Sequence, residues 1–432
     1  MNSTVSAKNV LTVDALANID IEEVINQYQS VRQHSLTLCQ PLQLADYELQ
    51  ADTFASPPKW HLAHTTWFFE TFILKTYCKN YEEFNPHFAF IFNSYYNGIG
   101  AQYSRHQRGL LSRPSLEEVI QYRDYIDQHM SELLNSELAD KIINLVLLGL
   151  NHEQQHQELL LTDLKYSFSF NPLFPIYQQE LPVSTSDEQT PLSFIEMNGG
   201  MFNLGFKQGP FCFDNELPRH QNFVRDFLIA NRLISNAEYL AFIQDGGYQN
   251  PEYWLSDGWN WVQNENIKAP LYWHLKDREY FRYQLNGLQV LDPLQPVSHI
   301  SFYEADAYAR WAGKRLLTEF EWEVASKLYG QQALTAEPTL EPLPAEKCFG
   351  DDLQQLFGHC WQWTQSSYAP YPGFKAANGA IGEYNGKFMC NQMVLRGSSC
   401  VTPHGHARSS YRNFFYPHER WQFTGIRLAD DI

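Results

Sequence analysis

The helical hydrophobic period of this chain stops near residue 170, and the remainder follows a different pattern. Before that point apolar residues recur at steps of three and four. Beyond it Gly and Pro become frequent, apolar runs shorten, and Asn-Gly and Asp-Gly turn pairs recur. No single bundle or sheet accommodates both halves, and 432 residues exceed what one core ordinarily serves. The order, helices first and strands after, defines an α+β chain with separate domains. Residues 1–170 read as a four-helix bundle, 171–191 as a polar, proline-bearing linker, and 192–432 as a mixed, loop-rich domain.

Residues 20–38 carry Ile21, Val24, Ile25, Tyr28 and Val31 on one helical face. A second helix starts at Ser56-Pro57-Pro58, a cap with proline in the first turn, and runs through Trp60, Leu62, Trp67, Phe68 and Phe72. Ser115 and Glu118 form a capping box that opens a third, through Val119, Ile120, Tyr122 and Ile126. The fourth spans 142–166 and starts apolar nearly all round, so it is buried. Between helices two and three lie about 35 residues, 81–114, rich in aromatics, Gly and Arg; a segment this long inside a bundle is usually functional. In the second half, 301–311 forms a serine-capped helix, Thr318 and Glu321 open another, and 327–347 reads as a Pro/Glu-rich surface insertion.

Composition narrows the partners. With 31 Lys+Arg against 49 Asp+Glu the net charge is −18, which repels phosphate backbones and anionic lipid surfaces. The sequence therefore predicts neither nucleic-acid nor membrane partners. The longest strongly apolar run, 145–150, is far short of the ~20 residues a bilayer requires. The first twenty residues lack the basic and apolar blocks of a secretory leader. Seven scattered cysteines, with no C-x-x-C, read as reduced thiols in the cytoplasm. Aromatics reach 15%, a load that favours aromatic-lined pockets.

His152 and His156 lie four apart and project from one helix face, where two imidazoles can hold one metal ion. Spacing alone is weak, since 15 histidines in 432 residues give roughly 0.5 such pairs by chance. Two hydrogen-bonded core histidines would look the same. His64, in the apolar stretch KWHLAHTTWFFE of the second helix, shifts the balance: if helices two and four are neighbours, three imidazoles meet inside the bundle. Such a set suits Fe(II), Zn(II) or Cu(II) and leaves positions open for substrates. His61, one turn earlier, competes with His64 or sits behind the ligands, and Glu158 faces elsewhere. In the long loop, Arg105 and Arg108 suit a carboxylate-bearing substrate, or else tie the loop to acidic neighbours. The adjacent Tyr95 and Tyr96 are either packing residues or a source of one phenol.

Together these stretches resemble the sulfoxide synthases of ergothioneine biosynthesis, whose architecture is a DinB-type bundle followed by a domain like the formylglycine-generating enzymes, of C-type-lectin-like build. WHLAHTTWFFE and HEQQHQE resemble the metal-binding segments. FIEMNGGMFNLG, DNELPRHQNFVRDF, PVSHISFYEADAYARWAGKRLLTEFEWE and LRGSSCVTPHGHARSSYRNFFYPHERWQFTGIRLA resemble the second domain. The resemblance implies His64, His152 and His156 as ligands of a non-haem Fe(II), and Gln155 as a contact of the hercynine imidazole. It implies Arg105 and Arg108 as the grip on the sulfur donor's carboxylate, Tyr96 or Tyr95 as the catalytic phenol, and Trp421 and Gln422 as second-domain contacts with substrate. Substrates would be hercynine, cysteine or γ-glutamylcysteine, and O2. Selenoneine or ovothiol synthesis on the same architecture, a zinc-dependent thiol transferase, and a non-enzymatic binding module are the rival readings. The formylglycine-generating enzymes need a second cysteine shortly after an R-G-x-S segment; here Arg396-Gly-Ser-Ser-Cys400 has none, so that conversion is not expected.

Overall fold

A computed structural model of the protein describes residues 20–182, 190–329, 337–346 and 352–432. Residues 1–19, part of the 171–191 segment, Cys348 and most of 327–336 lie outside the described residues. The chain divides into two compact units. The first comprises Met1–Phe170, Lys207–Leu217 and Gly373–Phe388; the second comprises Asn171–Phe206, Pro218–Pro372 and Met389–Ile432.

Four long helices build the first unit: α1 (Ile21–Cys39), α2 (Pro58–Phe69), α3 (Leu116–Leu134) and α4 (Ala139–Ser169). Asp20 caps α1 by accepting from the Glu22 amide, and the Ser115–Glu118 capping box opens α3. The cap expected of Ser56 falls instead to Pro57, while the Ser56 hydroxyl accepts from Arg108. Every residue of α2 is buried, as a helix apolar on all sides must be. It packs against α3 and α4, and α1 packs against α4. One π-helical turn, Glu70–Leu74, extends α2. It turns the Glu70 carboxylate toward the hydroxyls of Tyr81 and Tyr122, which both donate to it.

A buried polar junction ties all four helices. Glu153 of α4 accepts from Arg32 at 2.9 Å, Arg123 at 3.0 Å and the Ser35 hydroxyl at 2.6 Å. Arg32 also donates to Asp127 and to the Thr66 hydroxyl, and Arg123 donates to the Leu62 carbonyl of α2. Burial alone would raise the Glu153 carboxyl, but Arg32 and Arg123 outweigh it and hold it down at about 2.

The second unit is built on short strands. Phe194–Met197, Phe227–Ala230, Leu428–Asp431 and Arg315–Leu316 form an antiparallel sheet in that order. Asn413–Phe415, Met393–Arg396 and Trp361–Ser367 form a second, to which Thr424–Gly425 adds in parallel. Its core gathers Ile195, Leu204, Phe227, Ile229, Trp322 and Phe357. Arg396 is buried between Glu319 at 3.1 Å and Glu323 at 2.9 Å, so the R-G-S-S-C segment is a structural anchor here. Two expectations change. The 171–191 segment is docked where described: the amides of Tyr177 and Gln178 donate to the Leu285 carbonyl. The described part of 327–347 is a surface stretch only in part, with 327–329 and Glu337 exposed. Lys327 belongs to the helix Glu319–Tyr329, while Glu341 and Ala345 are buried, because the Glu341 carboxylate faces Arg282 and accepts from the Leu285 amide. Among the described residues no helix is long and apolar enough to cross a membrane, and six cysteines are free thiols.

Glu153→Gln leaves two buried guanidinium groups short of one charge, so it is expected to cost about 3–5 kcal/mol in urea unfolding. Because the folded carboxyl lies below its ordinary 4.5, the folded state binds fewer protons between those values. The junction's contribution is therefore complete above about pH 4.5 and lost as pH falls toward about 2. The variant should lose this part of the acid sensitivity.

Candidate metal centre

His152 and His156 project from one face of α4 toward His64 of α2. The ring centroids stand 4.6 to 5.0 Å apart, and one ligand nitrogen from each ring lies within 4.8 Å of the others. Gly149 permits this approach, since a Cβ there would sit 2.7 Å from Phe69 and 2.9 Å from Phe68 of α2. His64 is held in a layered stack: the Arg108 guanidinium lies 3.4 Å over the Trp60 ring, Trp60 stacks on His64 at 4.5 Å, and Trp67 lies parallel on the far side. Its Nδ1 donates to the Phe92 carbonyl at 2.6 Å, so Nε2 is the nitrogen it offers. The Nδ1 of His156 faces His61, leaving Nε2. His152 Nδ1 is buried with no hydrogen-bond partner among the described residues.

Burial pushes all three imidazoles below their ordinary 6.5, His152 to about 4; His152, His64 and the nearby Arg108 push His156 further down. They are neutral at physiological pH, the form a metal ion requires. Three neutral imidazoles, an orphaned buried ring nitrogen and no competing carboxylate in the group fit a divalent transition metal.

Beside the group lies a cavity lined by Phe68, Leu148, His152 and Gln155 of the helices, and by Tyr96 of the long loop. Cys212, Phe213 and Asp214, with Ala377, Ile381, Tyr384 and Asn385, complete it. All of these belong to the first unit. Asn385 donates to Asp214 at 2.6 Å, and burial raises the Asp214 carboxyl above its usual range.

The two loop tyrosines part company. Tyr96 is buried against Trp67 and Phe72 and lines the cavity, and its hydroxyl has no protein partner among the described residues. Tyr95 packs on Tyr384 and Phe388 and accepts from Arg105. Glu383 accepts from the amides of Asn97 and Gly98 at 2.8 and 2.7 Å, and Lys387 donates to the Tyr95 carbonyl, fixing the turn that follows. Arg105 donates to Tyr95 and the Phe54 carbonyl, Arg108 to Ser56 and Ser94. Neither donates to a carboxylate among the described residues. Burial and the charge of Arg105 push Arg108 down to about 9.

Trp421 and Gln422 lie in the second unit, both buried. Trp421 packs on Phe415, and its carbonyl accepts from His299 Nδ1. Glu158 is buried outside the three-histidine group. Asp214, Tyr384 and Asn385 lie in segments without a periodic pattern that would mark them in the sequence. The one available signal was Phe211-Cys-Phe-Asp214, an apolar patch inside a loop of turn residues.

A helical unit with a buried three-histidine group, in a chain that also carries a small-stranded unit, defines a DinB-type bundle joined to a sulfatase-modifying-factor-like domain. Residues 27–160 match the DinB superfamily, and 179–338 with 336–432 match the sulfatase-modifying factor enzyme 1-like domain. A hercynine oxygenase of Mycolicibacterium smegmatis is 31% identical over 66% of this chain and 71% of its own length. Those of Mycobacterium tuberculosis and Mycolicibacterium thermoresistibile are 30% and 32% identical, over 66% and 65% of this chain and 70% and 68% of theirs. The chain belongs to the hercynine oxygenase family.

Gly149→Ala leaves every candidate ligand in place but forces α2 and α4 apart. It is expected to cost ~1–3 kcal/mol of stability. It should also lower the metal retained after dialysis, as read by elemental analysis.

Proposed function

We propose that this chain is an Fe(II)- and O2-dependent sulfoxide synthase that joins the thiol of cysteine or γ-glutamylcysteine to carbon 2 of the imidazole of hercynine. One thiol S–H, one ring C–H and O2 give a C–S sulfoxide and water, so no further reductant is needed. The observation that carries the reading is that His152, one of three clustered imidazoles, lines the same cavity as the buried phenol of Tyr96. Family membership supports it. The free thiols of the described residues suit a reducing cytoplasm.

Held by His64, His152 and His156, Fe(II) would supply O2 activation and three free coordination positions at which thiol and imidazole meet. The remaining work falls to side chains. Arg105 and Arg108, two cations without a carboxylate partner among the described residues, hold the donor's carboxylate. Gln155 orients the hercynine ring. Phe68, Phe213 and Tyr384 wrap the trimethylammonium group, a cation–π contribution of ~0.5–2 kcal/mol. Asp214 adds a carboxylate to the same wall. Burial, reinforced by Tyr384, Glu383 and Asp214, pushes the Tyr96 phenol well above its ordinary value, so Tyr96 keeps a proton at Oη to deliver into the cavity.

The test is anaerobic Fe(II) loading, then hercynine, each thiol and O2, with mass spectrometry of the product. The sulfoxide is expected with one thiol strongly preferred; no C–S product with either thiol overturns the reading. Tyr96→Phe keeps the ring but loses the proton. It should cut sulfoxide formation ~10²–10⁴-fold and shift the product toward the thiol's sulfinate, whereas Tyr95→Phe should act mainly on substrate affinity. Arg105→Lys loses the planar fork and should raise KM for the thiol far more than for hercynine. Equal rises would point to a loop-folding role.

A further inference from the structure

We infer that Asp163 and His61 form a relay that fixes His156 in the tautomer presenting Nε2, and so set the metal affinity of the site; this rests on the three-histidine reading above. His61 is buried on α2, one turn before His64, and Asp163 is buried on α4, two turns past His156. Asp163 Oδ2 lies 3.2 Å from His61 Nε2 and accepts from the Ser56 amide at 2.8 Å. His61 Nδ1 lies 2.8 Å from His156 Nδ1.

While each ring carries a single proton, donor counting leaves one arrangement. A carboxylate only accepts, so the His61 proton sits on Nε2. A neutral imidazole carries one ring proton, so His61 Nδ1 is a lone pair and must accept. The proton between the two rings therefore belongs to His156 Nδ1, which leaves its Nε2 unprotonated and ready to ligate.

The three imidazoles are supported unequally. His64 leans on a neutral carbonyl, and His152 Nδ1 has no hydrogen-bond partner among the described residues. Only His156 is connected, through a second ring, to a carboxylate. Electron density passed along that chain makes His156 the strongest donor of the three. His61 is therefore a positioning residue, which accounts for a second buried histidine one turn from a ligand.

The experiment measures Fe(II) affinity of the full-length protein by anaerobic chelator competition, alongside long-range proton–nitrogen NMR of the metal-free protein with labelled histidine. Wild type should show the His156 proton on Nδ1. His61→Leu and Asp163→Asn should each weaken Fe(II) binding about 10–100-fold. His61→Gln, which can still donate to Asp163 and accept from His156, should recover most of the affinity, a rescue that a packing role would not give. A His156 proton on Nε2 in wild type, or unchanged affinity in folded His61→Leu, overturns the relay alone. A wild-type protein that binds no Fe(II) overturns the metal reading and the relay with it. If His61→Leu fails to fold, Asp163→Asn and the wild-type tautomer still decide.

Discussion

Glu153 sits between two guanidinium groups where all four helices meet, and its neighbour in the chain is His152. A carboxylate buried this deeply is tolerable only while both arginines reach it, so the junction admits one relative placement of α1, α3 and α4. Contacts from Arg32 to Thr66 and from Arg123 to the Leu62 carbonyl bring α2 into the same arrangement. His64 lies two residues before Thr66 and two after Leu62. The polar junction and the imidazole group are thus adjacent layers of one construction, the first fixing the backbone on which the second depends.

Upon that frame the site is assembled from planar groups held by stacking and by single hydrogen bonds. Arg108, Trp60, His64 and Trp67 form one stack, so a residue eligible for substrate binding also holds a ligand ring flat. The cavity is completed by two chain segments remote in sequence from the helices, Lys207–Leu217 and Gly373–Phe388. Among the described residues they bring the one carboxylate of the cavity lining, Asp214, together with Asn385 and Tyr384. Glu383 and Lys387, from the second of these segments, hold the backbone on both sides of Tyr96. The candidate metal ligands come from helices and the candidate phenol from a clamped loop.

The sequence made some of this legible and concealed the rest for physical reasons. Helical period and capping boxes located α1, α3 and α4 within a few residues, because caps and amphipathic faces are local properties. An i, i+4 spacing was enough to place His152 and His156 on one face. That α2 lies against α4 stood only as a condition, because a helix's neighbour is fixed by tertiary packing; the structure meets it. The position of His61 behind His156 was left open, because tautomer and partner are set by Asp163, about a hundred residues away. Asp214 and Tyr384 escaped notice since their segments carry no periodic pattern; only tertiary structure brings 207–217 and 373–388 to the helices. That part of the 327–347 stretch is buried has a similar cause. Prolines and glutamates suggest exposure, yet Glu341 is buried because Arg282 is there to meet it.

X-ray absorption at the iron edge of the anaerobically Fe(II)-loaded full-length protein tests most directly whether His64, His152 and His156 hold one iron ion. The expected spectrum shows three imidazole nitrogens with the multiple scattering of intact rings, the remaining positions filled by light oxygen donors, and a sulfur neighbour appearing when the thiol substrate is added. A spectrum of oxygen donors alone, or one with fewer imidazoles than three, would contradict the assignment.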